Sequence, residues 1–249
     1  MKALITGASS GIGRDMARYL SDLGYDLVIV ARRKELLEEL KKDLKTNVEI
    51  EVADVSKEEN CRALFEKHKD IDLLINNAGF GVFGEFYETD LEKELSLINT
   101  NITAVHILTK LYVKEMKNRN SGKILNVASI AGFMSGPLMA AYYASKNYVV
   151  SLSTAINKEL KKSNSNVNVS VLCPGPVNTN FNDVAGVKFG VKALSSEHVA
   201  KYAIDKVLKG KEIIIPGWHI KLLYIGNKLS PRCIASELAY HTQKAKKNV

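Results

Sequence analysis

Residues 2–13 read Lys-Ala-Leu-Ile-Thr-Gly-Ala-Ser-Ser-Gly-Ile-Gly. The first five are apolar enough for a β-strand, and the others form a glycine-rich turn with the spacing G-x-x-x-G-x-G. A helical pattern follows through Met16, Leu20 and Leu23, and Gly24 is suited to end that helix. Strand, glycine turn and helix form the context of a dinucleotide-binding loop, because backbone N–H groups can then approach a pyrophosphate. An ordinary glycine turn is the alternative, since the motif alone is a weak signal.

Strands and helices alternate along the rest of the chain. Continuous apolar runs predict buried strands near 26–31, 47–53, 71–76, 122–128, 167–173 and 211–216. Helical patterns occupy 34–45, 57–68, 90–118, 140–163 and 196–209. The alternation predicts an α/β fold, a single-domain Rossmann-type doubly wound parallel sheet of about seven strands with helices on both faces. Ligands would then bind beyond the carboxyl ends of the strands.

Length and composition set further limits. The 249 residues contain no linker or repeat, so we expect one dinucleotide-binding domain over 1–249, with 217–249 as a C-terminal extension. The first strand begins at residue 2, which argues against a signal peptide, and no apolar run is long enough to span a membrane. Three scattered cysteines favour reduced thiols in the cytoplasm. The five histidines lack metal-ligand spacing, so no metal is expected.

The formal net charge is +8. The lysines alternate with acidic residues along predicted helices, for example over 34–42, which indicates solvated helix faces. We therefore do not expect nucleic acid as a partner. An anionic cofactor or substrate is a better use for the positive charge.

The spacing Tyr-x-x-x-Lys occurs four times, and only Tyr142/Lys146 also has a serine thirteen residues upstream, Ser129. The other three pairs are Tyr202/Lys206, Tyr224/Lys228 and Tyr240/Lys244. Positions i and i+4 share a helix face, so Lys146 can lie close to Tyr142. A nearby ammonium favours the phenolate, so we expect a lowered pKa for Tyr142 and proton transfer by it during ketone reduction. Ser129 would donate a hydrogen bond to the carbonyl oxygen, although it could merely end a strand.

The end of the second predicted strand indicates which nicotinamide cofactor is bound. An acidic residue there would bond the ribose 2′-hydroxyl of NAD(H), whereas a neutral residue with a nearby arginine accommodates a 2′-phosphate. Here Ala31 is followed by Arg32 and Arg33. We expect NADP(H) to bind in preference to NAD(H), because a guanidinium suits a phosphate. The alternative is that both arginines are merely surface charges at the start of a helix.

Together these motifs resemble those of the short-chain dehydrogenase/reductase family. The shared residues, in the family's order over 2 to about 216, are Thr6-Gly7-Ala8-Ser9-Ser10-Gly11-Ile12-Gly13, Asp54-Val55, Asn76-Asn77-Ala78-Gly79, Asn101, Ser129, Tyr142/Lys146 and Pro174-Gly175-Pro176-Val177-Asn178-Thr179. The similarity is closest to the NADP-preferring acyl-, steroid- and aldehyde-type reductases, which have Ala-Arg-Arg after strand two. It implies a carbonyl reductase that is reversible as an alcohol dehydrogenase.

The resemblance implies roles for individual residues. The implied cofactor-binding residues are Gly7, Ser9, Ser10, Gly11, Ile12, Arg32, Arg33, Asp54, Val55, Asn76, Ala78, Tyr142, Lys146, Pro174, Val177 and Thr179. Asp54 would meet the adenine amino group, Asn76 and Ala78 would line the adenosine ribose, and Val177 and Thr179 would reach the carboxamide. Ser10 departs from some NADP-preferring relatives, which have a basic residue there.

The implied catalytic residues are Asn101, Ser129, Tyr142 and Lys146. Lys146 would also bond the nicotinamide ribose. Asn101 would hold a water molecule that relays protons to Lys146. Asn99 is the rival for that role, and Tyr143 is the rival for Tyr142, although Tyr143 has Asn147 and not lysine four residues on.

The expected substrate region is apolar. Its residues are Phe80, Phe83, Ile130, Phe133, Met134, Pro137, Met139, Phe181, Val184 and Phe189, and the last three fall in a segment that the resemblance implies is a mobile lid, with Gly186 and Gly190 as sources of flexibility. A small hydrophobic carbonyl or alcohol substrate follows, unless these residues are ordinary core.

The extension 217–249 mixes apolar residues with six basic residues and one glutamate. It could pack on the body or on a second subunit of a homodimer or homotetramer, help to close the substrate pocket, or rest on an anionic membrane surface. Two functions of other classes stay open, a non-catalytic dinucleotide-binding redox sensor and a membrane-surface scaffold. An intact set of catalytic residues argues against the sensor, because a sensor needs no proton donor.

Overall fold

The computed structural model describes residues 1–179, 193–230 and 232–244. The strands are β1 (Lys2–Thr6), β2 (Asp26–Ala31), β3 (Val48–Val52), β4 (Leu73–Asn76), β5 (Lys123–Val127), β6 (Asn168–Leu172), β7 (Val177–Asn178), β8 (Leu194–Ser195) and β9 (Ile213–Ile214). The helices are α1 (Gly11–Asp22), α2 (Lys34–Asp43), α3 (Glu58–Lys67), α4 (Leu91–Ile98), α5 (Ala104–Asn118), α6 (Ala140–Lys162), α7 (Ser196–Leu208), α8 (Trp218–Leu229) and α9 (Arg232–Lys244). None of the described helices has the length and apolar run needed to cross a bilayer.

Seven strands form one sheet in the order β3-β2-β1-β4-β5-β6-β9, and all neighbouring strands are parallel. The predicted doubly wound α/β sheet is therefore confirmed. β1 lies beside β4, so the strand order reverses between them and creates the crevice where ligands bind in such folds. The short parallel pair β7–β8 forms a second sheet that the sequence did not predict.

The central strands are mostly apolar because helices cover both faces of the sheet, whereas the edge strand β3 contains Glu49 and Glu51. In β1, Ala3 and Ile5 pack in a core cluster with Met16 of α1, whereas Leu4 packs in another with Leu108 of α5. Alternate residues of a strand point to opposite faces, so each face needs its own apolar set. The continuous runs seen in the sequence follow directly.

The first helix ends where the sequence predicted. Gly24 has a φ of 82°, which is accessible to glycine at little cost. Its N–H donates to the Ser21 carbonyl oxygen, and the Tyr25 N–H donates to that of Leu20, both at 3.0 Å. This pattern is the Schellman motif, which satisfies the last carbonyl groups of α1.

Two predicted elements differ in detail from the structure. The helix expected over 90–118 begins at Leu91, after the Asp90 side chain caps the Lys93 N–H at 2.8 Å, and a π-helical turn over Asn99–Thr103 interrupts it. The strand expected over 211–216 is only Ile213–Ile214. β9 pairs with β6 alone, and the nearby Pro216 has no N–H to donate.

Candidate active site

The glycine loop after β1 turns tightly against the loop that follows β4. Gly7 has a φ of 67°, and a Cβ there would lie 2.8 Å from the Ala78 Cα. A Cβ on Gly13 would lie 2.4 Å from Asn77 Nδ2 and 2.5 Å from the Gly7 carbonyl oxygen. Both positions therefore require glycine, because any larger residue would push the two loops apart.

Asn77, for which the sequence motifs indicated no individual role, joins these two loops. Its Nδ2 donates to the carbonyl oxygens of Thr6 and Gly7, at 3.0 and 3.1 Å. Its backbone N–H and that of Ala78 donate to Thr6 Oγ1, at 3.0 and 3.1 Å. The adjacent pair of asparagines at a strand end did carry a signal, because consecutive side chains there point to opposite faces of the sheet.

Asn76, which the sequence assigned to the adenosine ribose, has its side chain inside the protein. Nδ2 donates to Asn126 Oδ1 at 2.8 Å and to Thr109 Oγ1 at 3.1 Å, and the residue is 2% exposed. These bonds tie β4 to β5 and α5. The structure therefore gives no support to a contact between this side chain and the ribose, whereas Ala78 does lie in the loop beside Gly7.

The first turn of α1 offers N–H groups beside the glycine loop. Ser10 is the N-cap, its backbone is extended, and its side chain makes no capping hydrogen bond. The first turn also contains no acidic residue. Uncapped N–H groups and the positive end of the helix dipole attract an anion, so Gly11 and Ile12 stand where a pyrophosphate fits.

Arg33 and Ser9 meet near the end of β2. Arg33 Nη2 donates a hydrogen bond to Ser9 Oγ at 3.1 Å. Arg32 and Arg33 are both exposed, and no described acidic residue forms an ion pair with either. Guanidinium groups without acidic partners suit a phosphate, so this corner fits a 2′-phosphate.

Asp54 and Val55 follow β3 beside the end of β2. The Ala53 N–H donates to the Ala31 carbonyl oxygen at 3.1 Å and holds the two strand ends together. Asp54 is half-buried, and its Oδ1 accepts the Ser56 N–H at 3.0 Å. Val55 is buried in the core cluster that includes α3 and α5. The pair thus lies on the same side of the β1–β4 crevice as the arginines.

Ser129, Tyr142 and Lys146 come together at the end of β5. Ser129 follows the strand, and its hydroxyl forms a side-chain hydrogen bond with the Tyr142 hydroxyl. Lys146 lies one turn beyond Tyr142 on α6, with Nζ 5.8 Å from the centre of the Tyr142 ring. That Nζ donates to the Val127 carbonyl oxygen at 2.9 Å. Tyr142 and Lys146 are 9% and 5% exposed, so this polar group is largely shielded from water.

Burial dominates the protonation of this group. It raises the pKa of Tyr142 to about 12, and the hydrogen bond from Ser129 offsets only part of the rise. Burial also lowers the pKa of Lys146 to about 8, because desolvation disfavours the ammonium. The expected lowering of the Tyr142 pKa is therefore wrong for this structure. The phenol holds its proton firmly, and it is the lysine whose proton is labile near neutrality.

Asn101 lies at the centre of the π-helical turn and is fully buried, whereas Asn99 is exposed. Its Nδ2 donates to the Phe80 carbonyl oxygen at 2.9 Å and to Ser145 Oγ at 3.1 Å, and its Oδ1 accepts the Phe80 N–H at 3.1 Å. A Cβ on Gly79 would lie 2.9 Å from Asn101 Oδ1 and 3.4 Å from Lys146 Nζ. Of the two rival asparagines, Asn101 is therefore the one that lies near Lys146.

The segment after β6 crosses over the glycine loop. The Pro174 carbonyl oxygen accepts the Ile130 N–H at 2.9 Å and lies 3.5 Å from Ser129 Oγ. Val177 is buried, and a Cβ on Gly11 would lie 3.0 Å from Thr179 Cγ2. Thr179 thus lies against the glycine loop. The predicted lid residues Phe181, Val184, Gly186, Phe189 and Gly190 lie outside the described residues.

Residues 1–187 match the family model for short chain dehydrogenase. The chain belongs to this family. Among its curated relatives, the 3-oxoacyl-[acyl-carrier-protein] reductase FabG of Rickettsia prowazekii is 33% identical over 184 residues, which are 73% of this chain and 74% of the relative.

Solved short-chain dehydrogenases show the same fold. A short-chain dehydrogenase from Sphingobium yanoikuyae in complex with NADPH superposes with a TM-score of 0.82 and 29% identity, over 91% of this chain and 92% of that one. A family member from Burkholderia phymatum in complex with NAD superposes with a TM-score of 0.81 and 26% identity, over 90% and 91%. These neighbours bind one or the other nicotinamide cofactor.

Five of the expected apolar residues of this short-chain dehydrogenase divide between two core clusters near Ser129 and Tyr142. Phe80, Phe83 and Met139 pack with Tyr142 in one cluster, together with Tyr143. Ile130 and Phe133 pack in another cluster with residues of the C-terminal extension, which the sequence did not predict. Tyr142 and Tyr143 pack edge to face, with ring centres 6.0 Å apart.

The described part of the C-terminal extension packs on the body of the protein. The extension lies outside residues 1–187, which the family model matches. A Cβ on Gly175 would lie 2.3 Å from Ile220 Cδ1, so α8 presses directly on the Pro-Gly segment. The ring of Tyr224 lies 4.6 Å from that of Phe133. In α9, Gln243 is 3% exposed and its Nε2 donates to the Tyr143 hydroxyl at 2.6 Å. Both helices thus reach residues that adjoin Ser129 or Tyr142.

One cluster of potential metal ligands lies elsewhere, on β3 and after α3. Atoms of Glu49, Glu51 and His68 lie within 4.8 Å of one another. Lysines already contact both carboxylates, Lys2 at 2.8 Å from Glu49 and Lys67 at 2.5 Å from Glu51. These ammonium groups balance the negative charge, so the cluster is an ion-pair network in this structure.

Proposed function

We propose that this short-chain dehydrogenase is an NADP(H)-dependent carbonyl reductase of hydrophobic ketones or aldehydes, reversible as an alcohol dehydrogenase. The observation that carries the proposal is the buried Tyr142 hydroxyl, which is bonded to Ser129 and lies one helical turn from the buried ammonium of Lys146. NADPH would supply the hydride for the carbonyl carbon. The carbonyl oxygen then needs a proton, which this group of side chains can provide.

In the proposed mechanism Tyr142 gives its proton to the carbonyl oxygen while Ser129 donates a hydrogen bond to the same atom. The ammonium of Lys146 stabilises the phenolate that remains, because an opposite charge nearby favours it. The pKa of Lys146, about 8, lets this residue return a proton to Tyr142 near neutrality. Asn101, beside Lys146, would hold the water molecule that replenishes the lysine.

Several features fit NADP(H). The uncapped start of α1, with Gly7, Ser9, Gly11 and Ile12, would hold the pyrophosphate. Arg33, which is hydrogen-bonded to Ser9, would hold the 2′-phosphate. Position 31, at the end of β2, is alanine, so no acidic side chain there would repel the phosphate. The relative from Sphingobium yanoikuyae binds NADPH, whereas the one from Burkholderia phymatum binds NAD, so the preference needs a direct test. Isothermal titration with NADPH and NADH provides it, and equal affinities would refute the preference.

The substrate proposal depends on the apolar residues around Tyr142. Phe80, Phe83 and Tyr143 pack around Tyr142 and make its surroundings apolar, which favours an apolar body next to the carbonyl group. A relative acts on 3-oxoacyl groups carried by a protein, which are ketones on acyl chains. The panel to test therefore contains hydrophobic ketones, aldehydes, diketones and 3-oxoacyl thioesters.

The decisive experiment follows NADPH oxidation across that panel with wild type, Tyr142→Phe and Tyr202→Phe. Tyr202 is a matched control because Lys206 lies over its ring at 5.4 Å, in the same Tyr-x-x-x-Lys arrangement. Turnover should disappear only in Tyr142→Phe. Turnover that survives in this variant would refute Tyr142 as the proton donor. A non-catalytic redox sensor is not favoured, since it has no use for this buried proton-transfer group.

We further propose a cytoplasmic homodimer or homotetramer. Cys61 and Cys173 are free and buried, which suits a reducing compartment. On α4, Leu91, Leu95 and Ile98 are 64%, 42% and 37% exposed and share one face. An apolar stripe of this kind fits a subunit contact. Sedimentation equilibrium of wild type and Leu95→Ser tests it, and an unchanged monomer in both would refute it.

A further inference from the structure

Helix α8 is apolar on two opposite faces. Its inner face consists of Ile220, which is 1% exposed, and Tyr224, which packs against Phe133. Its outer face begins two residues earlier in the sequence with Trp218 and continues with Leu222. A shift of two residues on a helix with 3.6 residues per turn is a rotation of roughly 200°, so the two sets point in opposite directions.

The outer face carries large apolar side chains that no described residue covers. Trp218, Leu222 and Ile225 are 74%, 59% and 51% exposed, and their spacing of four and three residues places them in one stripe. Leu223, 53% exposed, widens the apolar surface on one side. Scattered exposed apolar residues are ordinary, but a stripe of three on one helix indicates an interaction surface.

Basic residues border this stripe. Lys221 and Lys228 of α8 are exposed on its other side, and the helix contains no acidic residue. Lys206 of α7 and Lys221 both lie over the ring of Tyr202, at 5.4 and 5.9 Å, so the positive rim extends to the neighbouring helix. The single acidic residue of the extension, Glu237, lies 3.1 Å from His241.

We propose that the outer face of α8 docks on the surface of an anionic lipid bilayer. The helix would lie in the interface, with Trp218, Leu222 and Ile225 among the acyl chains and the lysines at the headgroups, the arrangement typical of interfacial amphipathic helices. Tryptophan favours this depth because its ring is apolar and its N–H is polar. A second copy of the extension is a poorer occupant, because it would bring six further basic residues and a single glutamate to match them.

The docking surface adjoins the catalytic group through a single helix. The inner face of α8 contacts Gly175 and Phe133, and the Pro174 carbonyl oxygen lies 3.5 Å from Ser129 Oγ. An apolar compound dissolved in the bilayer would thus be held one helix away from the catalytic residues. The docking itself does not depend on turnover or on the identity of the substrate.

The test uses the full chain and phosphatidylcholine vesicles with and without phosphatidylglycerol. Trp218 is the only tryptophan, so its fluorescence reports insertion directly, and vesicle sedimentation measures the bound fraction. The variants are Leu222→Ser/Ile225→Ser, Lys221→Gln/Lys228→Gln and the control Leu23→Ser, at a leucine that follows α1 and is 44% exposed. Circular dichroism without vesicles confirms that each variant is folded.

We expect a blue shift and sedimentation of wild type with anionic vesicles, and weaker binding at high salt or without phosphatidylglycerol. The serine variant, Leu222→Ser/Ile225→Ser, should bind the vesicles about tenfold or more weakly for each apolar side chain removed, and the control Leu23→Ser should bind like wild type. The glutamine variant should bind more weakly and lose most of the salt dependence. Failure of wild type to bind, or equal binding by the serine variant, would overturn the proposal. So would a wild-type dimer that the serine variant breaks in sedimentation equilibrium without vesicles, since the stripe would then contact a second copy.

Discussion

Lys146 Nζ lies 5.8 Å from the centre of the Tyr142 ring, and both side chains are buried. Burial shifts their pKa values in opposite directions, that of Tyr142 up to about 12 and that of Lys146 down to about 8. Both shifts favour the neutral form, as expected when water is removed from an ionisable group. The protein therefore keeps a charged lysine near neutrality at a cost in stability.

That cost predicts how stability depends on pH. The pKa of Lys146 falls from 10.5 to about 8 on folding, so between these values the unfolded chain binds more protons and stability rises with pH. Lys146→Met removes the buried charge and should raise stability at pH 7 by an amount on the order of 3 kcal/mol. The advantage over wild type should shrink as the pH rises from 8 to 10.5.

Urea unfolding of both proteins across this pH range measures the difference. Cys61 and Cys173, whose thiol pKa values are raised by burial, also affect stability above pH 9. They are present in both proteins, so the comparison removes most of their effect. Lys206→Met is the control and should show no such advantage. A constant difference between wild type and Lys146→Met from pH 7 to 10.5 would contradict a lowered lysine pKa.

Arg33→Ala should weaken NADPH binding about tenfold to a hundredfold and leave NADH binding nearly unchanged. The reason is that a charge-assisted bond between a guanidinium and a phosphate contributes about 1.5–3 kcal/mol. Lys34→Ala is a matched control, since Lys34 is an adjacent exposed cation that lies 3.5 Å from Glu38. Fluorescence titration with both cofactors measures the affinities. An equal loss for NADH would show that Arg33 contacts a part common to both cofactors.

Gly13→Ala and Gly226→Ala should change stability in opposite directions. A Cβ at Gly13 would lie 2.4 Å from Asn77 Nδ2, so alanine there forces the glycine loop away from its neighbour. A Cβ at Gly226 meets no described atom within 4 Å, and alanine is the better helix former by about 1 kcal/mol. Thermal unfolding should show a lower Tm for the first variant and a slightly higher one for the second. Equal Tm values would contradict the close contact between the two loops.

Much of the fold could be predicted because its signal is local. Continuous apolar runs such as that of β2 follow from burial on both faces, and Gly24 ends α1 through its own φ. The π-helical turn at Asn99–Thr103 could not be predicted, since it leaves the helical pattern of 90–118 almost unchanged. Turns of this kind are frequent at functional sites, and this one contains Asn101.

The candidate catalytic residues could be recognised in the sequence only from a combination of motifs. The Tyr-x-x-x-Lys spacing brings a lysine over the ring in other pairs too, at 5.4 Å for Tyr202 and 5.5 Å for Tyr240. Burial near Ser129 distinguishes Tyr142, and it arises from strands distant in the sequence. The predicted direction of the Tyr142 pKa shift was wrong for the same reason. The Tyr-x-x-x-Lys spacing indicates the neighbouring positive charge, but it does not indicate that burial removes water from the phenol.

The contact between Gln243 and Tyr143 joins residues 100 positions apart, so no local pattern indicated it. We expect it to control substrate affinity, because it fixes α9 against the residue that follows Tyr142. Tyr143→Phe and Gln243→Leu should each change the KM for bulky ketones severalfold with a much smaller effect on kcat. The hydrogen bond itself contributes about 0.5–1.5 kcal/mol, and since the two residues share it, their effects should not be additive.

A double-mutant cycle on KM measures that coupling. Thr242→Val is the matched control, because Thr242 is exposed on the same helix turn and its hydroxyl donates to the Leu238 carbonyl oxygen of its own helix, at 2.8 Å. It should behave like wild type. Fully additive effects of Tyr143→Phe and Gln243→Leu would contradict a shared role. An equal fall in kcat for both variants would instead indicate that α9 positions Tyr142, the proposed proton donor, because a shift of that side chain would slow the chemical step.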